Sequence, residues 1–351
     1  QVVQLIVGLI IARILEPAEY GSIALLTIFI SIATVFVQSG LSTALIQKKD
    51  ADEVDYSSVF YYSLFIATVL YFVLFIFANT IANFFKIPEL APLLKVMAFT
   101  LFPGALNSLQ IAILSKNMQF KKQFYSSIIA IVVSGFLGII AALQNYGAWA
   151  LVLQQLSFQI TISLVLWFLV KWRPKLVFSY SKTKKLLSYG LSLLGARLID
   201  TIYHNSVSLI IGRKFDAATL AFNDKGKQFP LTLIDNIDGA IQSVMLPAYS
   251  QKQDDIQGLK KILRRTISLS TYIVFPAMIL LAVNGEPIIQ LLLGDKWLDS
   301  IPYLYLYCVI SMLFPLQTAN LQAINAIGKS NVYLRLMTIK RLFGIILLFG
   351  S

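Results

Sequence analysis

The sequence has 351 residues, 57% of them hydrophobic and 13% charged, about half the ~25% usual in soluble domains. Mean hydropathy is +0.74, and the uncharged runs 21–46, 56–85, 96–115, 123–170, 266–285 and 300–328 each reach the ~20 residues that cross a bilayer as a helix. This excludes a soluble globular protein, a disordered chain and a transmembrane β-barrel, whose spans are ~10-residue alternating strands. Length, breakers and charge then predict eleven helical segments, at 1–13, 20–46, 57–84, 90–115, 124–143, 147–170, 185–212, 217–249, 260–283, 300–327 and 332–350. Gln144-Asn145-Tyr146-Gly147 divides the longest uncharged run into two of them. The chain begins at Gln1 and ends at Ser351, each inside an apolar stretch, so both termini read as truncated.

The net charge of +12 is explained by its distribution. Alternate loops hold 18 Lys and Arg on one side, including six in 171–185 and five in 252–265, against 5 on the other. The positive-inside rule assigns the first set to the cytoplasm. Most of the basic excess is thereby absorbed, and no nucleic acid partner is needed. The single cysteine, Cys308, lies in an apolar run and reads as a packing residue.

An internal repeat is visible. Ile10-Ile11-Ala12-Arg13 recurs as Ile210-Ile211-Gly212-Arg213 at an offset of 200, and Leu101-Phe102-Pro103 recurs as Leu313-Phe314-Pro315 at 212. The twelve extra residues are expected in the loop around 251–265. The offset maps the first segment onto the seventh, so each repeat has six helices and both have one orientation. The expected architecture is an all-α integral membrane protein, a two-lobed bundle of parallel six-helix repeats with eleven spans present. Residues 1–175 form the N-terminal lobe with its first helix truncated; 176–351 form the C-terminal lobe, whose sixth helix lies beyond Ser351.

Catalytic signatures are missing. There is no HExxH, GxSxG or CxxC sequence, and Gly328-Lys329-Ser330 lacks the P-loop glycine because Ala323 stands there. No ATP, metal or other cofactor site is expected, and transport would draw on a proton or sodium gradient or on the cargo's own downhill movement. The informative residues are charges inside predicted spans, which are costly and usually face a cavity or a partner. Arg197, Asp200, His204 and Ser208 fall on one stripe of the seventh segment; Asp224, Lys227, Asp235, Asp238 and Gln242 fall on one stripe of the eighth. Lys225 stands beside the second stripe, and Lys340 with Arg341 lies about ten residues into the last segment. One reading lines a wet cavity with these residues. The other makes Arg197 and Asp200 an ion pair between helices, places Asp224 and Lys225 near the interface and lets Lys340 snorkel. His204 is expected to bond Asp200. Trp149, Trp167, Trp172 and Trp297 read as interfacial belt residues.

The run Ala12-Arg13-Ile14-Leu15-Glu16-Pro17-Ala18-Glu19-Tyr20-Gly21, followed by Gly40-Leu41-Ser42-Thr43-Ala44-Leu45-Ile46-Gln47-Lys48, resembles the start of bacterial polysaccharide-export flippases. Gly147-Ala148-Trp149-Ala150, Lys225-Gly226-Lys227-Gln228-Phe229-Pro230 and Leu246-Pro247-Ala248-Tyr249-Ser250 extend the resemblance over nearly the whole chain. It implies the superfamily of multidrug, oligosaccharidyl-lipid and polysaccharide exporters, a MATE-like bundle working by alternating access. The implied cargo is an undecaprenyl-pyrophosphate-linked oligosaccharide crossing the bacterial cytoplasmic membrane, with membrane lipids and polysaccharide polymerase machinery as partners. A cation-coupled multidrug antiporter and a membrane glycan polymerase or ligase are the alternatives. The second is disfavoured because the outer loop 284–299 is short and net acidic.

Overall fold

An apolar chain with no water to satisfy its backbone must close its hydrogen bonds within each segment, so helices are dictated before any packing. The computed structural model describes all residues except 1, 39, 49, 251–254, 327–329 and 351; the side chains of several helical residues, Asp238 and Gln242 among them, also lie outside the described residues. The helices follow the predicted segments closely: α1 (Val2–Ile14), α2 (Pro17–Gln38) with α3 (Leu41–Gln47), α4 (Glu53–Phe85), α5 (Leu90–Met97) with α6 (Leu101–Lys116), α7 (Phe120–Leu143), α8 (Ala148–Leu169), α9 (Tyr180–Lys214), α10 (Ala217–Ser250) and α11 (Ile256–Val283). Then come α12 (Gly285–Leu292), α13 (Ile301–Met312), α14 (Phe314–Ala326) and α15 (Ser330–Gly350). Gly40, at φ +65°, breaks α2 from α3 in the left-handed region that glycine tolerates.

Seven stretches among the described residues are long and apolar enough to cross a membrane: 17–47, 53–85, 90–116, 120–143, 148–169, 257–283 and 295–321. The eleven helical stretches exist, but the expected eleven spans reduce to these seven on length and apolarity. α1 has 13 described residues, while α9, α10 and α15 carry the intramembrane charges.

Two compact units emerge, residues 1–217 and 218–351. In the first, α7 and α8 form a tight antiparallel pair, α1 packs on α7, and α9 packs against α2, α3 and α4. The contact division therefore falls after α9, whereas the repeat places a lobe boundary before it. In the second unit α11 packs on α13 and α14, and α14 meets α15.

The repeat has a local backbone counterpart. α1 ends beyond Arg13, bends at Leu15 and restarts at Pro17; α9 ends beyond Arg213, bends at Phe215 and restarts at Ala217. Asp52 caps α4 by accepting from the Asp55 amide, and Asp255 caps α11 by accepting from the Gly258 amide. Those caps are 203 apart, and the ends of α4 and α11 are 198 apart. The extra residues therefore do not enter around 251–265 as expected. They enter between α11 and Phe314, where α12 and a 3-10 turn (Asp295–Ser300) fold in the connection. That turn also corrects the reading of Trp297. It is fully buried, not a belt residue, because the connection folds its indole edge-on against Phe222 of α10 at 6.0 Å.

The basic linker between α8 and α9 is pinned to the start of α4. Lys175 and Ser179 donate their amides to Ser57 Oγ (3.1 Å) and Ser58 Oγ (2.9 Å), and the Trp172 indole donates to Glu53 (3.2 Å). Lys182 pairs with Asp52. Asp55 is fully buried, paired with Lys48 at 2.5 Å, and completes a reciprocal capping box with Asp52.

Candidate functional site

Polar side chains in a membrane helix face a cavity or one another, because lipid offers no hydrogen bonds. In the first unit they face a cavity. A space of about 450 Å³ opens between α1, α2, α6, α7 and α8, within the 300–1,000 Å³ range of small-ligand sites. Its polar wall consists of six carboxamides, Gln4, Gln38, Asn107, Gln154, Gln155 and Gln159, and four hydroxyls, Thr34, Thr100, Ser108 and Ser134. Among the described residues no charged one lines it.

The local sequence explains the convergence. Ile30, Thr34 and Gln38 recur at four-residue spacing on α2, as do Gly104, Ser108 and Gln155, Gln159 on their helices, so each set falls on one face. Each hydroxyl donates to its own helix: Thr34 to the Ile30 carbonyl (2.8 Å), Thr100 to Met97 (2.7 Å), Ser108 to Ala105 (3.0 Å) and Ser134 to Ile131 (3.3 Å). Their oxygens are left as acceptors. One corner is fixed: Ser163 Oγ donates to Asn107 Oδ1 (2.6 Å), and Asn107 Nδ2 donates to Gln159 Oε1 (3.2 Å). Among the described residues, the carboxamides of Gln4, Gln154 and Gln155 make no hydrogen bond.

Arg197 reaches this cavity's border. It is exposed on α9 and donates through Nη1 to Gln38 Oε1 at 3.4 Å. His204 Nε2 lies 3.3 Å from Asp200 Oδ1, one turn away on the same helix. Ser208, the last member of that stripe, is buried. Asn205 adds a link to Ser31 of α2 at 3.3 Å.

In the second unit the charges are met by near neighbours. Asp224 and Lys227 pair at 2.5 Å. Lys225 is 7% exposed; its ammonium lies 5.8 Å over the Trp297 ring and 3.4 Å from Gln228 Oε1. Asn223 accepts from the Tyr307 hydroxyl at 3.4 Å. Gly226 permits this packing, since a Cβ there would lie 2.7 Å from the Ser300 carbonyl oxygen and 2.6 Å from Tyr303 Cβ. Asp235 is exposed on α10, and the Asp238 side chain lies outside the described residues. Lys340 is exposed and bonds Gln317 Oε1 at 2.6 Å. Of the nine predicted site residues, the structure thus groups Asp200 with His204, and Asp224 with Lys225 and Lys227, while Arg197 joins the carboxamide cavity. The sequence reading weighed charges and passed over that cavity. Its signal was present as neutral polar residues at helical spacing inside uncharged runs.

The fold is shared with solved structures. The lipid II flippase MurJ in an inward closed conformation aligns with TM-score 0.80 at 17% identity, over 98% of this chain and 78% of that one. A multidrug-resistance MATE family transporter of the MOP superfamily, inward-facing, aligns with TM-score 0.72 at 18% identity, over 97% and 84%. Among curated relatives, the succinoglycan biosynthesis transport protein ExoT of Rhizobium meliloti (strain 1021) is 24% identical over 84% of this chain and 60% of its own length. The teichuronic acid biosynthesis protein TuaB of Bacillus subtilis (strain 168) is 23% identical over 86% and 62%, and the lipopolysaccharide biosynthesis protein WzxC of Escherichia coli (strain K12) 24% over 87% and 62%. The chain spans about 60% of the length of these relatives. Residues 10–302 match the family described as polysaccharide biosynthesis protein. The chain is a multi-pass membrane protein with a MurJ- and MATE-like helical fold, and it belongs to the polysaccharide biosynthesis protein family.

Proposed function

We propose that the whole protein moves a lipid-linked oligosaccharide across the bacterial cytoplasmic membrane by alternating access, without chemically converting it. The cargo is an undecaprenyl-pyrophosphate-linked repeat unit destined for a capsule, an exopolysaccharide or an O-antigen-type polymer, with the polymerase machinery downstream. The observation that carries this reading is the carboxamide-lined cavity, uncharged among the described residues, with the Arg197 guanidinium at its border. A glycan presents hydroxyls, which carboxamides match as donor and acceptor together. A pyrophosphate presents oxygens, which a guanidinium fork matches. The basic linker is on the cytoplasmic side in this scheme, and a proton or sodium gradient is the energy source. The rival multidrug antiporter would need a carboxylate to meet a cationic drug, and this cavity's lining has none among the described residues. The test is transport of a fluorescent undecaprenyl-pyrophosphate glycan by the full-length protein in proteoliposomes. Movement well above empty liposomes is expected; movement equal to theirs overturns the reading.

A further inference from the structure

We infer that the cavity of the first unit is a sugar-binding site that takes an uncharged, hydroxyl-rich glycan segment of the cargo, separately from the group that holds the phosphates. The inference rests on the flippase reading for the source of the glycan, but its chemistry is drawn from the cavity alone. Three features fix the ligand class. Among the described residues the wall is neutral, so it gains nothing from a charged ligand and would desolvate one without compensation. Its four hydroxyls have spent their protons on their own helices and present acceptors, which suits a ligand rich in O–H donors. The unengaged carboxamides of Gln4, Gln154 and Gln155 supply both a donor and an acceptor each, the combination that a sugar hydroxyl uses.

The remaining wall suits the carbon side of a sugar ring. Phe158 and the aliphatic side chains of Val7, Ile30 and Ile111 offer apolar faces for ring C–H groups. The fixed corner, Ser163 to Asn107 to Gln159, holds part of the wall in place before any ligand arrives. Such preorganisation lowers the ordering cost of binding. A bare metal cation is the chemical competitor, since amide oxygens coordinate hard cations. Among the described residues the cavity has no carboxylate to offset the charge of one, and its free amides carry two N–H groups for every oxygen.

The full-length protein tests this in two arms. In the first, lipid nanodiscs are titrated with undecaprenyl pyrophosphate bearing a neutral disaccharide and with the same lipid bearing none. The sugar should tighten binding, and Gln155→Leu should remove about fivefold to tenfold of that gain, the worth of about one hydrogen bond. Binding of the bare lipid should stay unchanged in the same variant. In the second arm Ser108→Cys, in a background otherwise free of cysteine, is labelled with a water-soluble maleimide. Free neutral disaccharide should slow the labelling, while sodium and inorganic pyrophosphate should not. This arm leaves Gln155 intact, so it decides the matter even if Gln155→Leu folds poorly. Equal binding of the two lipids with no protection by the disaccharide overturns the sugar site and leaves the flippase reading standing. Protection by sodium instead of sugar also overturns the site. Protection by the disaccharide with neither lipid bound keeps the site and overturns the flippase reading.

Discussion

The two units treat polar residues in apolar helices in opposite ways. In the second, the groups around α10 are charged and consumed locally: Asp224 pairs with Lys227, and Lys225 is buried against Trp297. In the first, the groups around the α6–α8 cavity are neutral, and several are left facing open space. A charge draws a partner to itself strongly enough that its presence in a helix need not mark an open site. An unpaired carboxamide facing a cavity is a better mark of a place where a ligand completes the hydrogen bonds.

The largest effect that separates the units is structural. Trp297→Ala removes the fully buried indole on which Phe222 and Lys225 rest. A loss of about 3–5 kcal/mol is expected, as for large-to-small changes in cores. Thermal unfolding of the detergent-solubilised protein should show a clearly lower Tm and reduced abundance. An unchanged Tm would mean that the α10 cluster stands without the tryptophan, and the contrast between the units would collapse.

The helices were legible because an uncharged run bounded by breakers leaves the backbone no other choice, and α7, α8 and α11 fall within a few residues of expectation. The repeat was legible at Arg13 and Arg213 because the helix end, the bend and the restart are local events. What escaped was tertiary. Trp297 looked like a belt residue because nothing in the sequence says that Asp295–Ser300 folds back on α10. The cavity escaped because Gln4, Gln38, Gln155 and Asn107 come from four helices and converge only in space. Arg197 was expected either to line a wet cavity or to pair with Asp200; it is exposed on α9, and its partner Gln38 lies 159 positions away.

The next effect bears on cargo. Arg197→Ala removes the guanidinium at the cavity border. A hydrogen bond to a charged group is worth about 1.5–3 kcal/mol, so transport of the lipid-linked glycan should fall about tenfold to a hundredfold with abundance near normal. Arg197→Lys should recover only part, because an ammonium does not reproduce the planar fork. Asp200 faces His204 on its own helix, 3.3 Å away, so its loss should matter less. Transport by Arg197→Ala at the unmodified rate would separate the arginine from the cargo and leave the neutral cavity as the site's sole recognised feature.

The smallest effect concerns a place where the first unit uses charge as the second does, the linker pinned to α4. The Lys182 side chain bonded to Asp52, helped by the Asp55 amide, holds the Asp52 carboxyl well below the usual carboxylate range. A folded-state value depressed below the unfolded one stabilises at every pH above the unfolded value, about 3.9. The gain is lost only as pH falls below that, toward the folded value. Lys182 is shifted the other way, upward, first by its bond to Asp52, so its gain is lost only above the usual lysine range. Asp52→Asn isolates the charge, since asparagine caps a helix as well as aspartate. The Tm difference between the unmodified protein and Asp52→Asn should therefore be small, flat between pH 8 and 5, and should shrink below about pH 4. Because the pair is exposed, added salt should shrink it as well. A difference that instead vanished between pH 7 and 5 would point to a histidine-range group in place of Asp52.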